Sequence, residues 1–178
     1  MKPKIKVEIK AYFWYSSSKR GHMTPAINFL KKNKCEFSIH KYDHDPLCEN
    51  YGLEAVEKLN LDANQVFKTL LVELNPKELA VGIIPVSSKM SLKSIAKALE
   101  TKSAVMANKD EAQKVTGYLL GGISPFGQKK RLRTVLDESA LNFEKIYVSG
   151  GKRGIDIEVK VKDIEKLLKL KIMDICIK

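Results

Sequence analysis

Residues 66–86, VFKTLLVELNPKELAVGIIPV, contain two apolar runs separated by Asn75 and Pro76. Runs of aliphatic and β-branched residues are typical of strands, and an Asn-Pro pair between two such runs is a turn signal. The stretch therefore predicts two strands, Phe67 to Leu74 and Leu79 to Val86, that pair as a hairpin.

Shorter elements are predicted on both sides of this hairpin. Before it, Thr24 and Pro25 favour a helix start, with an apolar stripe through Lys34, followed by a strand containing Phe37, Ile39 and Tyr42 and a helix from Leu53 to Leu59. After it, we expect helices over Ser91 to Glu100, Asp110 to Val115 and Val161 to Leu170, and strands over Arg131 to Leu136, Lys145 to Ser149, Ile155 to Val161 and Lys171 to Ile177.

The predicted strands outnumber the helices and do not alternate with them strictly. This favours an α+β fold with a mixed, partly closed β-sheet or barrel flanked by helices. We expect one domain from residue 23 to residue 178, preceded by an extension or leader over residues 1–22. An added strand that includes Val7, Ile9 and the aromatic run Tyr12 to Tyr15 is the alternative for that leader.

The composition suits one globular domain with a basic surface. Of the 178 residues 44% are hydrophobic, and 32 basic residues against 21 acidic ones give a formal charge of +11. Such a charge attracts polyanions such as RNA. An apolar run of about 20 residues, as needed to cross a membrane, does not occur. Three cysteines without close pairing favour a reducing, cytoplasmic setting.

Lys68 interrupts an otherwise apolar strand, with Leu70 and Val72 as its neighbours on one face. One interpretation is an edge-strand lysine whose ammonium reaches solvent. The other is a pocket lysine that binds a carbonyl, carboxylate or phosphate group. Spacing alone does not separate the two.

Two glycine-rich loops, Gly121 to Gly127 and Ser149 to Gly154, are candidates for close approach of a ligand to backbone amides. Tight turns between strands are the simpler interpretation. The first loop departs from the P-loop pattern, because Gln128 and Lys130 stand where Lys and Ser or Thr are required. Basic residues adjoin both loops and predict contacts with RNA phosphates, unless they form an ordinary solvated surface: Lys129, Lys130, Arg131, Lys152 and Arg153.

Other kinds of site receive little support. His40, Asp43, His44, Asp45 and Cys48 could ligate a metal, but a strand does not bring an i, i+4 histidine pair together. We expect no metal and no cofactor, and local hydrogen bonds for the two histidines. The sequence also lacks a recognisable Ser-His or Cys-His catalytic signature, so a protein nucleophile is unsupported.

Five segments together resemble the YbaK/EbsC family of free-standing Cys-tRNA(Pro) deacylases, which is related to the editing domain of some prolyl-tRNA synthetases. They are MTPA (23–26), YDHD (42–45), VFKTL (66–70), TGYLLGGISP (116–125) and YVSGGKRG (147–154). The resemblance implies that Lys68 is required for catalysis, that Gly121 makes a backbone contact, and that the pocket contains Tyr42, Tyr51, Thr69, Ser149 and Asp156. Tyr51 is a departure, because the family has phenylalanine there.

The resemblance also implies a substrate-assisted reaction, in which the thiol of the bound cysteine attacks its own ester. We expect the amides of Gly121, Gly122, Ser149 and Gly150 to hold the ester. The implied partners are the acceptor end of tRNA(Pro) and, transiently, prolyl-tRNA synthetase, with neither DNA nor a membrane. Hydrolysis of another mischarged tRNA such as Ala-tRNA(Pro), and a non-catalytic module that binds tRNA or a synthetase, remain the alternatives.

Overall fold

The computed structural model describes residues 9–10 and 23–177. The α-helices among them are Pro25–Lys32 (α1), Tyr51–Leu59 (α2), Leu92–Ala98 (α3), Lys109–Thr116 (α4) and Val161–Leu168 (α5). The strands are Ile9–Lys10 (β1), Phe37–Lys41 (β2), Val66–Leu74 (β3), Glu78–Pro85 (β4), Ala104–Met106 (β5), Arg133–Asp137 (β6), Lys145–Lys152 (β7), Ile155–Lys160 (β8) and Lys171–Met173 (β9).

All these strands join one mixed sheet, in the order β1-β2-β8-β7-β3-β4-β6-β9, with β5 paired to the far end of β3. The predicted α+β class and the β3–β4 hairpin are both confirmed. The sheet is mixed because β3 runs parallel to β7 and antiparallel to β4. Strand β3 is therefore interior, with β4 along one side and β7 and β5 along the other.

Each face of the sheet carries its own hydrophobic core. On one face, helices α1 and α5 pack over residues that include Phe67, Val148 and Ile157. On the other face, helix α3 packs over Val72, Leu74 and their neighbours. Alternation along β3 sends odd- and even-numbered side chains to opposite cores, which explains why its sequence is apolar on both faces.

Three helices end two residues earlier than their apolar spacing predicts. In each case the last two residues of the predicted helix include a residue other than glycine in the left-handed region. These residues are Lys34 (φ 53°), Glu100 (φ 57°) and Lys169 (φ 48°). Glycine is the usual signal for such an ending, and lysine or glutamate gives none. Strand β5 was not predicted, and Lys171 to Ile177 forms a strand only as far as Met173.

The leader falls almost entirely outside the described residues. Its two described residues, Ile9 and Lys10, pair antiparallel with Ile39 and Ser38 of β2. Val7 and Tyr12 to Tyr15 lie outside the described part. Within the described part, no helix is long and apolar enough to cross a membrane.

Buried Asp137 fixes the C-terminal segment. One carboxylate oxygen accepts the backbone N–H and the hydroxyl of Ser139, and the other accepts the backbone N–H of Ile175. From there the chain continues to Ile177, whose N–H donates to the carbonyl of Lys89. This carboxylate therefore holds the last residues against the loop that follows β4.

We expect Asp137→Ala to lower the free energy of unfolding by about 2–4 kcal/mol, because it removes a cap and leaves the Ile175 N–H buried without an acceptor. Asp137→Asn retains one acceptor oxygen and should be less damaging. Urea denaturation of the two variants beside the wild type measures the difference. An alanine variant as stable as the wild type would contradict this role.

Candidate functional site

Lys68, Ser149 and Asp156 lie on one face of three neighbouring strands. The parallel register pairs Phe67 of β3 with Val148 of β7, and both side chains enter the α1/α5 core. The next residue on each strand, Lys68 and Ser149, therefore points to the opposite face. Ser149 pairs in turn with Asp156 of β8. Three positions that are distant in sequence are brought together by strand order.

The Lys68 ammonium is half-buried and held by backbone. Its Nζ donates to the carbonyl of Ser88 at 2.7 Å and to that of Val86 at 3.3 Å. Burial lowers the pKa of Lys68 below its ordinary value, the nearby Cys176 thiol acts in the opposite sense, and Lys89 adds to the lowering. The edge-strand interpretation is wrong, because β3 is interior. Lys68 lies at the end of the hydrophobic core that packs under α3. It directly follows Phe67, the last residue of β3 that pairs with β7.

Asp156 is a buried carboxyl on the same face. Its side chain has 6% relative exposure, and Oδ2 has no hydrogen-bond partner among the described residues. Burial raises the pKa of Asp156 to about 7, because the charged form loses its hydration. A buried acceptor without a partner is costly in a stable fold, and a ligand that donates a hydrogen bond would satisfy it.

The aromatic ring of Tyr51, in the first turn of α2, is held between two loops. A side chain at Gly121 would place its Cβ 2.5 Å from this ring, and Gly121 has a φ of +80°. The Arg153 guanidinium lies 4.5 Å from the ring centroid, and its Nε donates to the carbonyl of Leu120. The two glycine-rich loops therefore meet at Tyr51, as expected if both border one pocket.

Tyr42 and His44 extend this region along the chain that leaves β2. Burial raises the pKa of the Tyr42 hydroxyl, and the Asp156 and Glu54 carboxylates raise it further. His44 Nδ1 lies 2.7 Å from Glu54 Oε2, so the expected hydrogen bond of this histidine is found. Sequence reasoning missed Glu54, whose only signal is an acidic residue in the first turn of a helix.

Three other predicted pocket residues, Thr69, Gly122 and Gly150, have a weaker geometric link to Lys68 and Asp156. Thr69 points to the α1/α5 face, opposite Lys68, and its hydroxyl is buried without a partner among the described residues. The Gly122 amide, expected to hold the ester, already donates to the Leu119 carbonyl at 3.0 Å. The Gly150 carbonyl accepts the Thr24 hydroxyl, which ties this loop to the start of α1.

The predicted RNA-binding residues separate into two regions. Lys129 and Lys130 line an open cleft of about 700 Å³ together with Lys77 and Lys114. Lys152 is exposed beside Gly122, whereas Arg153 is engaged with Tyr51. The Arg131 guanidinium donates to the Leu168 carbonyl at the end of α5.

The described residues contain no group of three or more His, Cys, Asp or Glu side chains arranged to hold a metal ion. Their three cysteines are not joined in disulfides.

The chain is similar to known proteins in both sequence and fold. The model of the aminoacyl-tRNA editing domain matches residues 49–167. A protein of Enterococcus faecalis named as Cys-tRNA(Pro)/Cys-tRNA(Cys) deacylase EbsC is 31% identical over 153 residues, which are 85% of this chain and 92% of that protein.

Two solved structures share the fold. A trans-editing enzyme for prolyl-tRNA synthetase superposes with a TM-score of 0.74 at 16% identity, over 86% of this chain and 96% of that one. A hypothetical protein superposes with a TM-score of 0.78 at 19% identity, over 86% and 99%. The matched editing-domain model and the EbsC relative together show that this chain belongs to the aminoacyl-tRNA editing family, among the deacylases of the YbaK/EbsC type.

Proposed function

We propose that the protein deacylates mischarged Cys-tRNA(Pro) in trans, and that the thiol of the bound cysteine is the nucleophile. The observation that carries this proposal is a half-buried lysine on β3 and a buried, unsatisfied carboxyl on β8, which lie on the same face of the sheet with β7 between them. An aminoacyl ester presents matching groups, since it has an ammonium at one end and ester and phosphate oxygens at the other. The name of the Enterococcus faecalis relative supports cysteine as the amino acid.

The proposed roles follow from the charges. Lys68 binds the acyl oxygen or the terminal phosphate and stabilises the negative charge that develops on the ester. Asp156 accepts a hydrogen bond from the α-ammonium, while Ser149 and the Tyr51 ring border the aminoacyl group. Because an aminoacyl ester is already activated, orientation and charge stabilisation supply several kcal/mol without a covalent intermediate on the protein.

We expect Lys68→Met to reduce deacylation of Cys-tRNA(Pro) by about 10²–10³-fold, since a preorganised charge at the ester is lost. The matched control is Lys89→Met, which removes an exposed lysine nearby and should stay within about threefold of the wild type. Release of cysteine from charged tRNA measures the rate, and parallel assays with Cys-tRNA(Cys) and Ala-tRNA(Pro) define specificity. Full activity of a folded Lys68→Met protein would contradict the proposed role, and tight tRNA binding without cleavage by the wild type would favour a non-catalytic module.

We expect Asp156→Asn to stabilise the fold while weakening the enzyme. The pKa of Asp156 is about 7 in the folded protein against an ordinary 3.8, so the folded state holds the proton more tightly and wild-type stability falls as the pH rises from about 4 to 7. Asparagine removes this penalty. Its free energy of unfolding should exceed that of the wild type by about 1–3 kcal/mol at pH 8, and the excess should vanish near pH 4.

Urea denaturation across this pH range tests the prediction, with Glu57→Gln as the control for loss of an exposed carboxyl. A constant difference between Asp156→Asn and the wild type at all pH values would show that the carboxyl is not destabilising.

We expect the cleft beside α4 to bind tRNA phosphates. The double substitution Lys129→Ala and Lys130→Ala should weaken tRNA binding and reduce the slope of log K against log salt by up to about 2, because two phosphate contacts are lost. Filter binding at several salt concentrations measures this slope. An unchanged slope would place the tRNA elsewhere, and transient association with prolyl-tRNA synthetase would then be the more important source of tRNA selection.

A further inference from the structure

A buried histidine–carboxylate pair lies beside the candidate site. His44 Nδ1 is 2.7 Å from Glu54 Oε2, and the two side chains have relative exposures of 17% and 4%. The other oxygen of Glu54 accepts the backbone N–H of Asp45 at 2.6 Å. Glu54 also lies in the first turn of α2, where the helix dipole favours a carboxylate. The carboxylate is thus fixed on both oxygens.

This arrangement determines which nitrogen of His44 is the acceptor. An ionised carboxylate only accepts hydrogen bonds, so Nδ1 carries a proton, and whenever the ring is neutral Nε2 has the free lone pair. Nε2 is buried and has no hydrogen-bond partner among the residues that the structure describes. A buried acceptor without a partner costs free energy, and the carboxylate prevents the ring from turning to relieve it.

The pair adjoins the candidate pocket. The His44 ring centroid lies 5.8 Å from that of Tyr51, which is in contact with the Gly121 loop and Arg153. Tyr42, two residues before His44, has its hydroxyl in the field of both Asp156 and Glu54. The pair is thus linked to the candidate pocket through both Tyr51 and Tyr42.

We propose that His44 accepts the proton of the substrate thiol, with Glu54 as its positioning residue. This inference rests on the proposed function. The thiol proton moves to Nε2 while sulfur bonds to the ester carbonyl carbon, and the proton then passes from Nε2 to the ribose oxygen as the C–O bond breaks. The products are the free tRNA hydroxyl and a cysteine thiolactone, which water opens. The step needs no oxidant, metal or cofactor.

Two titratable groups face this ring directly, Glu54 and Tyr51 of α2. The next groups outward are Arg153 over the Tyr51 ring, Asp45 beside Glu54, and Tyr42 with Asp156. Because burial raises the pKa of Asp156 to about 7, a pH profile of the wild type alone does not identify the group responsible.

His44→Asn isolates the proposed acceptor. The asparagine amide retains a donor for Glu54 in place of Nδ1 and removes Nε2, so a merely structural role is preserved. We expect the single-turnover rate on Cys-tRNA(Pro) to fall about 10²-fold, as for loss of a general base, with tRNA affinity unchanged. Asp43→Asn, an exposed position in the same segment, is the matched control and should stay within about twofold.

Glu54→Gln provides the second measurement. Loss of the carboxylate lowers the basicity of Nε2, so the acid limb of its pH–rate profile should move to lower pH, with a rate loss of about 10-fold or more. Thermal unfolding identifies any variant that fails to fold. His44→Asn activity within threefold of the wild type, or an unmoved acid limb in Glu54→Gln, would overturn the inference and leave the proposed function intact. A wild-type protein that cleaves no Cys-tRNA would overturn both.

Discussion

The site depends on holding one ammonium group at the end of a hydrophobic layer. Lys68 precedes Leu70 and Val72 on the face of β3 that packs under α3, and it stands where that core ends. The carbonyls of Val86 and Ser88 hold its Nζ, so the loop after β4 defines where the charge is. That loop is braced by the C-terminal segment, since Ser91 donates to the Ile175 carbonyl and Ile177 to that of Lys89.

Two buried polar groups of the candidate site lower the free energy of unfolding. Asp156 Oδ2 and His44 Nε2 are buried acceptors without partners among the described residues, and each is expected to cost about 1–3 kcal/mol. Two extensive cores, one on each face of the sheet, supply the stability that offsets this cost. Buried groups left without a partner are typical of a site that is completed by its ligand.

Local signals in the sequence predicted much of the fold. The Asn75-Pro76 turn gave the hairpin, and Thr24 and Ser91 cap helices as expected. The position of Lys68 within the sheet was not predictable, because β3 pairs with a strand about 80 residues away. Glu54 was missed for a similar reason: its partner His44 precedes it by ten residues, across a loop with no periodic pattern. The family resemblance pointed to Lys68, Ser149 and Asp156, and only the strand order places them on one face of the sheet.

Cys176 is a thiol near Lys68 that is poorly suited to act as a nucleophile. A thiolate at Cys176 would lie close enough to raise the pKa of Lys68, and a lysine beside a cysteine often activates it. Here burial and the Asp137 carboxylate raise the pKa of Cys176 to about 12, so the thiol stays protonated at neutral pH. The same carboxylate that anchors the C-terminal segment thus suppresses this cysteine. Lys68 is therefore not paired with a reactive thiol of the protein, which fits the proposal that the substrate supplies the nucleophile.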